Sequence, residues 1–310
     1  MEELNLTGFQ PATFHLTGFP GLEPAHRWIA IPFCALYATS IAGNCAVLAV
    51  VRRDPRLHEP MYLFLCMLSF NDLGVSLSTL PTVLALFCFG LSDVAFDACL
   101  AQMFFIHSFS FMESGILLAM SLDRFVAICS PLRYASTLTN ARIGRIGLAI
   151  ALKSTAMLCP FPFLIKRLPI CKSNVLSHAY CLHPDMMRLA CADITVNNIY
   201  GFFAILFTYG LDSMFIIFSY IMILKTVLSI ASRDQRRKAL NTCIAHICAV
   251  LSFYVPIIAV SVLHRFGKNV PSVAHILMSN VYLFIPPLLN PIIYSVKTKE
   301  IRKGFSRMFS

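Results

Sequence analysis

The chain has 310 residues, 57% hydrophobic and only 13% charged, with a formal net charge of +10 and a mean hydropathy of +0.72. Soluble domains of this length carry less apolar sequence and more charge, while the low charge and 26 Phe exclude disorder, and 13 Gly and the length exclude a collagen-like repeat and a disulfide mini-protein. What remains is a polytopic helical membrane protein, because the apolar runs are continuous and long enough to cross about 30 Å of hydrocarbon as helix, whereas barrel strands are short and alternating.

In chain order the runs predict spans over Trp28–Val51, Met61–Phe87, Ala98–Ile128, Ile143–Ile165, Tyr200–Ile230, Ala239–Leu263 and Val273–Val296. A basic amphipathic stretch, Thr298–Phe309, then reads as a helix lying on the membrane surface. The expected fold class is an all-α membrane protein: an N-terminal segment 1–27, a seven-transmembrane helix bundle 28–296, and a tail 297–310 carrying the amphipathic helix.

Seven spans put the termini on opposite sides, and the positive-inside rule assigns the sides. Seventeen Lys and Arg fall in the odd-numbered connections and the tail, seven on the other face, and Lys153 within the fourth span. The N-terminus is therefore expected outside and the tail in the cytoplasm. The same distribution accounts for the net charge without a nucleic-acid partner, since the basic residues are spread over short loops. No apolar core follows a basic start in the first 25 residues, so the first span is expected to act as its own anchor without a cleaved signal. Asn5-Leu6-Thr7 is an N-glycosylation sequon on the expected outer face.

Eight of the twelve cysteines lie in or at the edge of spans, where they read as packing residues. Cys99, Cys171, Cys181 and Cys191 lie on the outer, oxidising side; four cysteines allow three pairings, which spacing does not separate. The outer loop also holds His178, Cys181 and His183, a soft-metal set that loses its thiol if Cys181 is oxidised.

Several motifs stand out: Gly43-Asn44, Pro60-Met61-Tyr62-Leu63 with Asp72, Met120-Ser121-Leu122-Asp123-Arg124-Phe125, Ser219-Tyr220, Lys238-Ala239-Leu240-Asn241 with His246, and Pro287-Leu288-Leu289-Asn290-Pro291-Ile292-Ile293-Tyr294. Together they resemble the odorant receptors of the rhodopsin-like G-protein-coupled class over almost the whole chain. Phe253-Tyr254-Val255-Pro256 stands where non-olfactory relatives carry tryptophan. The long outer loop and His264-Arg265-Phe266-Gly267 resemble the class I, fish-like receptors, most closely family 51. The resemblance implies a plasma-membrane receptor that binds an odorant and raises cyclic AMP through a stimulatory G protein. The disulfides expected under it are Cys99–Cys181 and Cys171–Cys191.

An ionisable side chain at membrane depth costs several kcal/mol unless paired or hydrated, which makes each a functional candidate. Glu113 precedes Arg124 by eleven residues, about 16 Å of rise on nearly the same helix face. Asp72 lies at a similar depth, and two carboxyl groups that meet there share a proton or bind a cation. The resemblance places them, with Asn290, at an internal sodium site. Arg124 beside Asp123 resembles the receptor switch, with Phe125 replacing the usual tyrosine. Tyr220, His246 and Tyr294 are expected to bond across helices as it rearranges, and Arg236 and Lys238 to flank the G-protein opening. Lys153 and Asp212 have no partner assignable from sequence.

Helical spacing aligns His107, Phe111 and Ser114 on one face of the third span, and Ile258, Ser261 and Arg265 on one face of the sixth. A guanidinium near the outer mouth is suited to hold a carboxylate bidentately above an apolar cavity; the alternative is that Arg265 bonds the outer loop near Asp185 or faces water. His183 and Ile205 complete the expected ligand set. The resemblance also suggests polar odorants, carboxylic acids among them. Competing classes are an ectopic metabolite sensor with the same mechanism and a small-solute transporter; no internal repeat supports the latter, and no clustered nucleophile, base or metal motif supports an enzyme. No cofactor beyond a sodium ion is expected, and the remaining partner is membrane lipid.

Overall fold

Where water is excluded, a backbone spans only if it satisfies its own hydrogen bonds, and long apolar runs do so as helix. The computed structural model describes residues 10–171, 173–266 and 270–309, except for the side chains of 135, 238, 242, 264–266, 272, 299, 308 and 309. Among the described residues, seven helices are long and apolar enough to cross a membrane. The first three spans are α1 (His26–Arg53), α2 (Pro60–Phe89) and α3 (Phe96–Cys129), followed by a single turn, α4 (Tyr134–Thr137). The fourth is α5 (Asn140–Leu158) continued by α6 (Pro160–Lys166), broken where Pro160 has no N–H to donate. A loop helix, α7 (His183–Arg188), precedes the fifth span, which joins α8 (Thr195–Ile205) and α9 (Leu211–Leu228) through a π-helical turn at Leu206–Gly210. The sixth is α10 (Arg233–Phe266), the seventh α11 (Ser272–Lys297), and α12 (Lys299–Phe309) follows. Helices overrun the apolar stretches because Lys and Arg at their ends are good helix formers that reach the headgroups.

The third span is the hub. Two thirds of its most apolar window (67%) is buried, against 50% or less in every other span. Polar groups elsewhere answer defects in the helices. Pro291 has no N–H for the carbonyl of Pro287 one turn earlier, and that carbonyl instead accepts from Ser40 Oγ (3.0 Å) and Asn44 Nδ2 (2.9 Å), tying α1 to α11.

A three-stranded sheet, absent from the all-helical expectation, covers one end of the bundle. Its central strand β1 (Thr13–Leu16) pairs antiparallel with β2 (Asp93–Ala95) and parallel with β3 (Val175–Leu176), in the register Phe14↔Val94 and Leu16↔Leu176. Phe14 and Leu16 point into the core, with Phe14 stacked on Phe96 at 5.5 Å, while Thr13 and His15 point away. Disulfides join Cys99 to Cys181 and Cys171 to Cys191 at this end. Gln102 Oε1 accepts from the backbone N–H of Cys181 at 2.9 Å, seating the loop over the mouth of the bundle.

Lys153 and Asp212, which sequence left unpaired, meet between the fourth and fifth spans. Lys153 Nζ lies 3.2 Å from Asp212 Oδ1 and 5.9 Å from the Phe207 ring centroid, and Asp212 Oδ2 accepts from Ser114 Oγ at 2.8 Å. Asp212 is buried and Lys153 half-buried. Removing one member of such a pair strands the other's charge. Lys153→Met is expected to cost up to about 3 kcal/mol and to lower the unfolding temperature in detergent, and Lys153→Met with Asp212→Asn to recover most of that loss. A loss in the double variant equal to the sum of the losses in Lys153→Met and Asp212→Asn would contradict the pairing.

Candidate ligand cavity and switch

A cavity of about 600 Å³ opens at the disulfide end among α3, α7, α8, α10 and α11. Of the residues expected around a ligand, His107, Phe111, His183, Ile205 and Ser261 line it. Ile258 does not: it is 57% exposed and faces a groove between the fifth and sixth spans, while its neighbour Ile257 lines the cavity. Arg265 lies one turn beyond Ser261 on α10, but its side chain is outside the described residues, as are the Lys238 side chain and Asn5. Asp185, considered as a partner of Arg265, has Oδ2 at 2.7 Å from His178 Nδ1 and Oδ1 at 4.0 Å from Arg188 Nη1. Arg188, which sequence reasoning passed over, also lines the cavity.

The two histidines are fixed by neighbours. The backbone N–H of His183 points to His107 Nε2 at 3.5 Å, so that nitrogen accepts and Nδ1 carries the proton. His183 packs edge-on against Phe161 at 4.6 Å. Burial pushes its imidazole down to about 3, so it meets a ligand as a neutral group. Its Nε2 has no hydrogen-bond partner among the described residues. Cys181, the thiol of the soft-metal set, is bonded to Cys99.

Polar contacts continue inward along α3. Ser110 Oγ bonds both Tyr209 (2.9 Å) and, more closely, Tyr282. One turn on, Ser114 Oγ contacts Tyr254 OH at 2.8 Å as well as Asp212. Sequence reasoning set Ser114 on the ligand face but did not identify Ser110, Tyr209 or Tyr282; the one signal was the i, i+4 spacing of the two serines. Alongside, Asn290 Nδ2 reaches Asp72 Oδ2 (3.1 Å) and Glu113 Oε1 (3.5 Å), bringing two fully buried carboxyl groups around one amide. One amide does not neutralise two carboxylates; a shared proton or a cation would.

Nearer the opposite end, His246 Nε2 faces the Leu117 carbonyl at 3.0 Å and must donate to it, so Nδ1 accepts from Tyr220 OH at 2.6 Å. Arg124 donates to Asp123 Oδ2 through Nη2 (2.7 Å) and Nε (3.1 Å), and Tyr134 OH donates to Oδ1 at 2.8 Å. Burial, reinforced by the neighbouring Asp123, holds the Tyr134 phenol well above its usual value, so it remains a donor. A second cavity, about 340 Å³, opens here between Arg124, Met120, Asn241, His246 and Tyr294. Tyr294 OH is 4.0 Å from Met120 Sδ, and Arg236 is half-buried in the first turn of α10. One end therefore holds a partly apolar chamber, the other an arginine clasped by its own neighbour, with side-chain hydrogen bonds between them.

The family model described as olfactory receptor matches residues 33–310. Olfactory receptor 51I1 of Homo sapiens is 65% identical over 306 residues, covering 99% of this chain and 98% of its own length. Olfactory receptor 51I2 of Homo sapiens is 62% identical over 299 residues, 96% of each, and olfactory receptor 51G2 of Homo sapiens is 58% identical over 298, covering 96% and 95%. With seven spans, a chamber at one end and a clasped arginine at the other, the chain belongs to the olfactory receptor family: it is a multi-pass plasma-membrane G-protein-coupled receptor for odorants, and not an enzyme.

Proposed function

We propose that this receptor takes short- and medium-chain carboxylic acids in the chamber at its disulfide end and signals through a stimulatory G protein to raise cyclic AMP. The N-terminus and disulfide end face outward, where Asn5 is glycosylated, and α12 lies against cytoplasmic-leaflet lipid. The observation that carries the ligand assignment is the chamber's composition. Phe111, Ile205, Ile257 and Val260 supply apolar wall for an alkyl chain. His183 is neutral, so charge for an anion comes from arginine. Arg265, one turn above Ser261, is the assigned carboxylate clamp.

Ligand contacts then favour an inward tilt of the sixth span's chamber end, and the other end moves outward. Asp123, whose other carboxyl oxygen accepts from Tyr134, releases Arg124, and Arg236 and Lys238 border the opening. Tyr220, His246 and Tyr294 re-pair as the helices shift. Asp72, Glu113 and Asn290 hold a sodium ion or shared proton in the resting state, so sodium opposes the ligand through linkage.

Losing a charge-assisted pair costs about 1.5–3 kcal/mol, a factor of roughly ten to more than a hundred. Arg265→Ala is expected to abolish or shift by about that much the cyclic-AMP response to fatty acids of graded chain length, with surface expression retained. An unchanged dose response defeats the clamp, and loss in Arg188→Ala instead moves the anion contact to the loop. In the same cells, Glu113→Gln is expected to remove the sodium dependence of ligand potency; undiminished sodium dependence counts against the internal site.

A further inference from the structure

We infer that Cys34 and Cys88 form a third, exchangeable disulfide that clamps α1 to α2 at the end of the bundle carrying the other two. Their sulfurs lie 3.9 Å apart across the helix pair, against the ~2.05 Å of a bond. The preceding residues hold them in place: Phe33 and Phe87 stack at 5.1 Å with an interplanar angle of 16°. That stack faces the core, since both rings are buried, and turns the next residue of each helix outward, where both cysteines are exposed. Cys88 also lines a cavity of about 530 Å³ with Glu23, His26, Arg27 and Ser92. These polar walls give a water-soluble reagent access that thiols buried in hydrocarbon lack.

The reagent is a small disulfide such as glutathione disulfide, or an oxidised dithiol carrier of the secretory route. The Cys88 thiolate attacks one sulfur of the reagent and expels a thiolate, giving a mixed disulfide. The Cys34 thiolate then attacks the Cys88 sulfur and expels the second. Two cysteine thiols lose two protons and two electrons, and the reagent leaves as two thiols. The bond closes across a separation of 54 residues and stiffens the helix pair next to the β1 strand without crossing the ligand chamber. The inference rests on the outward orientation of this end and is independent of the ligand.

Trypsin provides the test, because Arg52, Arg53 and Arg56 lie between the two cysteines and neither of the other disulfides crosses that cut. The full-length receptor is extracted with N-ethylmaleimide to trap free thiols, nicked, and run with and without reductant. The fragment ahead of the cut is expected to stay attached until reduced, either as isolated or after incubation with glutathione disulfide before trapping. Mass spectrometry is expected to find residues 28–52 joined to 57–124 through Cys34 and Cys88, with residues 173–188 attached through Cys99–Cys181. Cys34→Ser and Cys88→Ser release the fragment without reductant, and Cys45→Ser does not. Release of the unsubstituted fragment without reductant under both conditions, or attachment that survives Cys88→Ser, overturns the inference. An N-terminal tag accessible on intact cells shows separately that this end faces outward.

Discussion

Every polar side chain at membrane depth has to find its partner inside the bundle, because hydrocarbon offers none. That constraint organises this protein around α3. Ser110, Glu113, Ser114 and Arg124 are buried on it; the two serines and Glu113 contact the fifth, sixth and seventh spans, and Arg124 is held by its neighbour Asp123, which also accepts from Tyr134 in the turn that follows α3. The remaining spans supply apolar packing and turn much of their surface outward, as Trp28, Phe70 and Phe163 do. Outward apolar residues that would be a liability in water are the natural lipid face here.

The proposed function rests on the same arrangement. A chamber for a small odorant needs walls that exclude water and a few polar groups that fix orientation; in the cavity proposed for it, the disulfide-seated loop contributes His183, and α3 contributes His107 and Phe111. A switch needs a charged group held in one state and free in another; Arg124, clasped by Asp123, with Tyr134 bonded to the same carboxyl group, is the group proposed for that role. Between them run contacts made by residues of different spans, so a shift of the fifth or sixth span cannot leave them all intact. The Lys153–Asp212 pair belongs to this set, because Asp212 shares Ser114 with Tyr254.

Much of this was legible from sequence because hydropathy reports directly on solvent. Each predicted span overlaps an observed one, and Asp123 and Arg124 meet because they are adjacent. What escaped were relations across helices and phase along them. Nothing in periodicity says that Lys153 faces Asp212, 59 residues away. Spacing put Ile258 on the face of Ser261, but the chamber is met by Ile257, also one turn from Ser261 on the other side of the same stripe. The sheet was invisible because strands of two to four residues are too short for alternation to register. Arg188 was overlooked since a loop arginine ordinarily faces water, and only the fold of α7 brings it to the chamber.

On the proposed mechanism, polar contacts on α3 couple the chamber to the opposite end of the sixth span. Double electron–electron resonance between genetically encoded spin labels at Arg133 and Arg237 measures that coupling. An activating odorant is expected to lengthen the distance in the otherwise unaltered receptor, and Ser114→Ala, which cuts the Tyr254 and Asp212 contacts together, to reduce that lengthening sharply while the odorant still binds. Full lengthening in Ser114→Ala would contradict the account.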